Sequence, residues 1–233
     1  MGTPLNRKII RHSILLLTLL LPNVSNGNSC DTKAENNTCV QILVKSNIGR
    51  ELANMVVYLE PLDGQVLEKS LKEVIVGQFG KSFSPYLSVS QVNSKVSFVN
   101  KDDITHHIYS AGNENRFSFT IRPGETNSSA KFEHASDVAM GCNIHDWMSG
   151  HLLVVNTPYF DKTDELGRVS FNIAKHGKYK VVVWHPQMQA DNNRMTIEKN
   201  IYAHDTLTFI LKEEMESIPL QASDDDFDFL SDY

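Results

Sequence analysis

The stretch GCNIHDWMSGHLLV (residues 141–154) carries a cysteine, a histidine and a methionine at intervals of three residues, as Cys142, His145 and Met148. The chain contains three cysteines in total. The three side chains could pack in a core, or they could offer a thiolate, an imidazole and a thioether to one metal ion. Copper that alternates between Cu(I) and Cu(II) favours such a mixture of soft and borderline ligands, whereas methionine is a poor ligand for zinc.

A second imidazole would complete such a site, and the segment FVNKDDITHHIYS (98–110) supplies two candidates. His106 and His107 stand at the start of a run that reads as a strand. Ligands contributed by a distant strand and by a loop are a common way to enclose a copper ion. The spacing alone leaves the choice between the two histidines open.

Short β-rich runs dominate the chain, and turn residues interrupt them about every ten residues. No long stretch has the periodicity of an amphipathic helix. This pattern predicts an all-β fold built from sandwiches. The runs lie at 40–44, 55–60, 95–99, 117–121, 151–155, 168–173, 179–184 and 206–211.

Residues 78–157 resemble the cupredoxin, or blue copper, family. The resemblance lies in FSPYLSV (83–89), in NKD (100–102) and in the CNIHDWM loop, whose spacing is similar to that of the amicyanin-like members. A wider pattern over 40–186 resembles the methylamine-utilisation or plastocyanin-like subgroup. The resemblance implies a Greek-key β-sandwich with one type 1 copper ion.

The resemblance also implies a set of metal ligands. They are His106, Cys142, His145 and Met148. Adjacent side chains of a strand point to opposite faces, so one of the two neighbouring histidines can reach the metal. Ile108 shares a face with His106 and is apolar, which favours His106. His107 stands where the family commonly has asparagine, and we expect its ring to brace the cysteine loop by a hydrogen bond.

The flanking segments resemble a different family, the carboxypeptidase-regulatory or transthyretin-like β-sandwich. Residues 39–61 and 163–186 carry its strands and glycine turns in the usual order, but with an interruption. We therefore predict one discontinuous sandwich from 40–70 and 158–212, with a cupredoxin domain inserted at 71–157. Such insertions are tolerated where the ends of the inserted domain lie close together.

The first 27 residues have the order of a secretory signal. Arg7, Lys8 and Arg11 precede an apolar run at 14–21, which is too short to span a bilayer. We expect cleavage after Gly27 and export, to the periplasm if the host is a Gram-negative bacterium. An uncleaved anchor is the alternative interpretation, and no membrane span is expected after removal of the signal.

Export changes how the cysteines are interpreted. Cys30 and Cys39 are close in the sequence and could pair as a disulfide in an oxidising compartment. Cys142 is then the unpaired cysteine. An unpaired cysteine in an exported protein is either buried and inert or used chemically.

The negative charge is concentrated at the C-terminal end. The chain has 22 Lys+Arg and 28 Asp+Glu, a net charge of −6, and residues 213–233 hold eight acidic and no basic residues. This composition predicts a solvated, disordered acidic tail. No basic patch indicates binding to nucleic acid.

Five further histidines and both tryptophans are expected outside the ligand set. The histidines are isolated in the sequence and are predicted to lie at the surface or in the core. They are His134, His151, His176, His185 and His204. Trp147 is expected to pack the metal loop and Trp184 to lie in the core.

Together these features predict an exported copper protein that carries single electrons and is not an enzyme, since four protein ligands leave no open position for a substrate. Two alternatives stay open at this point. The protein could store, sense or deliver copper, or it could be a structural or adhesion sandwich that has kept the loop. The expected partner is a redox protein that docks over His145, with Trp147 adding apolar contact.

Overall fold

The computed structural model describes residues 38–221. They form sixteen β-strands and one 3-10 helix, Asp191–Asn193, which confirms the predicted all-β fold. Within 38–221, no helix is long and apolar enough to cross a membrane. The predicted signal at 1–27, Cys30 and residues 222–233 lie outside the described residues. Of the two cysteines predicted to pair, the described one, Cys39, is disulfide-bonded.

The first two strands and the last five strands together build two sheets. Their strands are β1 (Thr38–Lys45), β2 (Val56–Pro61), β12 (Phe160–Lys162), β13 (Arg168–Ile173), β14 (Gly177–Trp184), β15 (Arg194–Ile201) and β16 (Asp205–Ile210). Sheet I has the order β13-β1-β16, and sheet II has the order β12-β2-β14-β15. Strand β1 is antiparallel to β13 and parallel to β16, so both of its neighbours come from beyond the segment that carries the metal loop.

The intervening segment builds the other two sheets. Its strands are β3 (Val74–Gln78), β4 (Phe83–Ser84), β5 (Leu87–Gln91), β6 (Val96–Asn100), β7 (His106–Ser110), β8 (Ser118–Ile121), β9 (Thr126–Asn127), β10 (Ser136–Cys142) and β11 (Ser149–Val155). Sheet III has the order β5-β11-β10-β7-β8, and sheet IV has the order β4-β3-β6-β9. The candidate metal ligands lie on strands of sheet III or in the loop that joins β10 to β11.

The four sheets stack in the order I, II, III, IV, because three buried clusters fill the gaps between them. One cluster joins sheets I and II through residues such as Ile42 and Leu59. A second joins sheets II and III through residues such as Trp184 and Leu153. The third fills the sandwich of sheets III and IV and includes Cys142.

The apolar runs of the chain reflect this stacking. In β2, Val57 and Leu59 face the cluster between sheets I and II, whereas Val56 and Tyr58 face the cluster between sheets II and III. A strand that is buried on both faces reads as a continuous apolar run rather than as an alternation. Sheets II and III are therefore the inner layers of the molecule.

Candidate metal centre

The pairing of β7 with β10 brings the first two candidate ligands together. Cys142 ends β10 and lies opposite Ile108 of β7. Directly opposite residues of an antiparallel pair share a face, and side chains two residues apart along a strand share it as well. His106 therefore lies on the same face as Cys142, and His107 lies on the other face.

Three ligand-type side chains converge at this end of sheet III. The Nδ1 atoms of His106 and His145 each lie 3.8 Å from Cys142 Sγ. All three atoms lie within 4.8 Å of one another. The exposed fractions of the three residues are 0% for His106 and 4% for both Cys142 and His145. Among residues 38–221, this is the one group of three His, Cys, Asp or Glu side chains close enough to hold a metal ion.

The short loop between β10 and β11 places His145 beside Cys142 and ends at Met148. The Met148 N–H donates to the His145 carbonyl at 3.0 Å, and the Asn143 N–H donates to the His107 carbonyl at 2.9 Å. Met148 is 1% exposed and belongs to the same buried cluster as Cys142. The fourth residue of the predicted set thus lies in the core at the end of the loop.

Asp102 holds the His106 ring, a role that the sequence did not reveal. Its Oδ2 atom lies 2.8 Å from His106 Nε2. The same carboxylate accepts the backbone N–H groups of Gly80 at 2.6 Å and Lys81 at 3.0 Å. A hydrogen bond from Nε2–H to a carboxylate leaves the Nδ1 lone pair free to face Cys142. In the sequence, the only indication of this residue was the NKD motif at 100–102, which precedes the candidate ligand His106.

Asn100 shapes the turn that presents Asp102. It is 1% exposed, and its side-chain amide donates to the carbonyls of Ile104 at 2.7 Å and Ile121 at 3.0 Å. Its side-chain oxygen accepts the Asp102 N–H at 2.9 Å. A buried amide with these partners fixes the backbone between β6 and β7, and so the position of His106.

His107 lies on the opposite face of β7 and bridges the metal loop to a neighbouring strand. Its Nδ1 atom lies 2.8 Å from the side-chain nitrogen of Asn143, and its Nε2 atom lies 3.0 Å from Ser118 Oγ. Because an amide nitrogen can only donate, Nδ1 accepts and Nε2 donates. His107 therefore links β8 to the residue that follows Cys142, which agrees with the bracing role expected for it.

Trp147 packs beside the site. Its ring centroid lies 5.3 Å from that of His145, and its side chain contacts the core between sheets III and IV. Trp184 is 1% exposed, in the cluster between sheets II and III. Both tryptophans are thus packing residues, although Trp147 also forms part of the wall of the site.

The other histidines lie outside the cluster. The Nε2 atom of His176 lies 2.8 Å from Thr38 Oγ1, and His204 Nδ1 accepts the Cys39 N–H at 2.9 Å. His134 is exposed. His151 pairs with Asp137 at 3.1 Å.

His185 is a core histidine with a lowered pKa. It is 3% exposed, and its Nδ1 atom accepts the Gln187 N–H at 3.2 Å. Burial, followed by the nearby charges of His151 and Lys162, lowers the pKa of His185 to about 4. The ring is therefore neutral at physiological pH.

No protein-family model matches the chain, and no curated protein matches it. Several solved structures are similar to part of it. A copper-containing nitrite reductase (NirK) from Thermus scotoductus SA-01 is 24% identical over 42% of this chain and 25% of its own, with a TM-score of 0.34. A Cu(I) structure of an amicyanin variant is 15% identical over 36% of this chain and 82% of its own, with a TM-score of 0.33.

A purple cupredoxin from Nitrosopumilus maritimus is 20% identical over 36% of this chain and 98% of its own, with a TM-score of 0.31. The chain thus spans a quarter of the nitrite reductase and most of the two smaller proteins. At this level of similarity, function has to be inferred from the site itself.

Proposed function

We propose that this protein binds one type 1 copper ion and acts as an exported one-electron carrier. The proposed ligands are His106, Cys142, His145 and Met148. The observation that supports this most strongly is the convergence of two imidazole nitrogens and one cysteine sulfur in a buried site. Bound copper would supply the Cu(I)/Cu(II) couple.

The donor set fits copper better than the other common metals. Two imidazoles and one thiolate with a weak thioether suit both oxidation states of copper. Structural zinc sites use four cysteine, histidine or carboxylate ligands. The cluster offers three such ligands, and Met148 is the buried side chain that ends the loop.

The surroundings of the site favour electron transfer over catalysis. Asp102 fixes the His106 ring, and hydrogen bonds within the loop fix the backbone around His145. Ligands held in place by their surroundings need little movement when the metal changes charge. The low exposure of the three converging residues also limits direct contact between a substrate and the metal.

The proposed partner is a redox protein in the exported compartment, periplasmic in a Gram-negative host. It would dock over the loop that carries His145. Ile144, beside His145, is 54% exposed, and Trp147 is half-buried. A small apolar surface above a buried metal is suited to a transient encounter, in which few side chains dominate.

Copper titration of the metal-free protein tests the proposal. We expect one copper per chain and an intense visible absorption from charge transfer between the Cys142 thiolate and Cu(II). Cys142→Ser should abolish this absorption and keep the fold, as judged by circular dichroism. His134→Ala, a change at an exposed histidine outside the cluster, should leave the absorption intact. Full colour in Cys142→Ser would contradict the assignment.

The copper-loaded protein also distinguishes an electron carrier from the two alternative functions, copper storage or delivery and a purely structural role. A carrier retains copper in both oxidation states and exchanges electrons rapidly with small redox reagents. A storage or delivery protein would instead lose Cu(I) readily to a competing chelator and exchange electrons slowly. If the protein binds no copper, both copper functions are excluded, and a structural or adhesion role is the remaining alternative.

A further inference from the structure

The segment 212–221 follows the last strand of sheet I and reaches the metal loop, and we call it the strap. On its way, Met215 packs against the cluster between sheets I and II. The next residue, Glu216, donates its N–H to the Gln187 carbonyl at 3.0 Å. The strap is therefore attached to the sandwich of sheets I and II before it reaches the segment that carries the metal loop.

The strap binds the residue that follows Met148. The Ser149 N–H donates to Gln221 Oε1 at 3.2 Å, and Gln221 Nε2 donates to Ser149 Oγ at 3.1 Å. A third bond, from Gln221 Nε2 to the Pro219 carbonyl at 3.3 Å, orients the amide. One glutamine side chain thus binds both the backbone and the hydroxyl of Ser149.

The position of Ser149 in sheet III explains why its N–H needs a partner from elsewhere. Ser149 and His151, two residues apart in β11, direct their N–H groups to the same edge of the strand. The His151 N–H donates to the Tyr86 carbonyl at 2.8 Å, where β5 begins to pair with β11. The Ser149 N–H lies one step beyond this pairing, and Gln221 supplies its acceptor. Without Gln221, this N–H has to turn to water, which loosens the end of β11.

Ser149 is next to two of the proposed copper ligands. It follows Met148 directly, and it pairs across the ladder with Gly141, which precedes Cys142. A depression of about 300 Å³ lies beside the site, and its lining includes Cys142, Met148 and Ser149. A displacement of Ser149 would therefore move Met148 and open the wall beside the cysteine.

The two ends of the metal loop are held by different parts of the chain. Directly after Cys142, the Asn143 N–H donates to the His107 carbonyl of β7 at 2.9 Å. Directly after Met148, the bonds to Ser149 come from the strap. The first contact lies within the sandwich that carries the site, whereas the second connects that sandwich to the C-terminal segment.

We propose that Gln221 is a positioning residue for the copper site, which acts through Ser149 to hold Met148 and the wall beside Cys142 in place. The inference rests on the proposed copper-binding function and adds to it a residue from outside the segment that resembles cupredoxins. Residues that fix the ligands of a metal without touching it stabilise the bound ion. The strap thereby makes the copper loop depend on the C-terminal segment.

The first test uses metal-free protein and does not depend on copper. In Gln221→Ala, the Ser149 amide should exchange with solvent roughly 2- to 10-fold faster, as expected for the loss of one ordinary hydrogen bond. Alkylation of Cys142 by iodoacetamide should also be faster, because the wall beside the thiol opens. Cys39 is disulfide-bonded and does not compete for the reagent. NMR and mass spectrometry measure the two rates.

Two further variants separate positioning from a general loss of structure. Gln221→Glu should restore both rates, because a carboxylate accepts the Ser149 N–H and the Ser149 hydroxyl can donate to it as well. Gln41→Ala, a change at a half-buried glutamine of sheet I, should leave both rates unchanged. Equal rates in Gln221→Ala and the unmodified protein would overturn the proposal, and so would equal rates in the alanine and glutamate variants.

The second test uses copper-loaded protein. Gln221→Ala should shift the visible absorption and lose Cu(I) to a chelator roughly 2- to 10-fold faster, and Gln221→Glu should match the unmodified protein in both. If the unmodified protein binds no copper, the proposed function fails, whereas the metal-free rates still decide whether Gln221 holds the loop. If copper binds and the alanine variant keeps both its absorption and its rate of Cu(I) loss, the positioning proposal alone fails.

Discussion

The orientation of one imidazole ring depends on a carboxylate four residues earlier in the chain. The Asp102 side chain is 9% exposed and has three donors around it, from Gly80, Lys81 and the His106 ring. A carboxylate can accept all of them, because both of its oxygens are acceptors. The position of the His106 ring and the turn at Gly80 are therefore maintained by the same residue.

Asp102→Asn preserves the shape of this side chain but replaces one acceptor oxygen with a donor. One buried N–H then loses its partner, and we expect the metal-free protein to lose roughly 1–3 kcal/mol of unfolding free energy. We also expect copper affinity to fall by about 10- to 100-fold, as is typical when the partner of a histidine ligand is removed. Chemical denaturation and competition with a chelator measure the two effects. Asp103→Asn, a change at the exposed neighbour, should alter neither.

His106 and His107 differ in role although they are adjacent. His106→Ala should abolish the visible absorption, because the proposed site loses a ligand. His107→Ala removes the bridge between Asn143 and Ser118 and should keep the colour, at a cost of roughly 0.5–1.5 kcal/mol per lost hydrogen bond. Copper titration of the two variants side by side shows which of the two histidines is the ligand. Loss of colour in the His107 variant alone would reverse the ligand assignment.

At the scale of the elements, the strand that follows the loop packs closely against a strand of the facing sheet. Gly150 of β11 lies against Phe83 of β4, which is 3% exposed. A Cβ atom at Gly150 would come within 3.0–3.1 Å of three Phe83 side-chain atoms. Close contact between sheets III and IV next to Ser149 thus requires a residue without a side chain.

Gly150→Ala should destabilise the protein by roughly 1–3 kcal/mol, because Phe83 has to move within a packed core. Thermal or chemical unfolding of the metal-free protein measures this change. Gly112→Ala is the matched control, because a Cβ there meets no atom closer than 3.9 Å. Equal stability of the two variants would show that the contact between β11 and β4 relaxes freely.

At the scale of the whole molecule, the junction of the inner sheets contains a titratable group. His185 follows Trp184 directly, and His151 and Lys162 are its charged neighbours. Because its pKa is lowered from an ordinary value of 6.5 to about 4, the unfolded chain binds a proton between these pH values and the folded protein does not. The stabilising contribution is therefore present above pH 6.5 and is lost as the pH falls towards 4.

We expect the free energy of unfolding to fall by up to about 3 kcal/mol between pH 7 and pH 4 through this one residue. His185→Asn should flatten the pH dependence, since its side-chain oxygen can accept the Gln187 N–H without titrating. His134→Asn, at an exposed position, should retain the steep dependence. Denaturant unfolding at a series of pH values provides the measurement. Parallel curves for the protein and its His185 variant would assign the pH dependence to other groups.

Much of the fold and of the candidate site was predictable because it is encoded by local spacing. Each of the eight β-rich runs overlaps an observed strand, four of them wholly and four with one residue beyond its end, since period-two patterning and turn residues act over a few neighbours. The short intervals between Cys142, His145 and Met148 commit these residues to one loop. The alternation of side chains along a strand also indicated that His106 shares a face with Ile108, and these two residues lie on the side of Cys142.

The tertiary structure alone decided which distant groups meet. Asp102 reaches His106 because the backbone of Gly80 and Lys81 folds against it, and Gln221 reaches Ser149 from 72 residues away. The identity of the sheets that cover the two faces of β2 and β14 was likewise absent from local pattern. Local periodicity specifies which way a side chain points, but the contacts between elements depend on how their surfaces pack, which no short window of sequence contains.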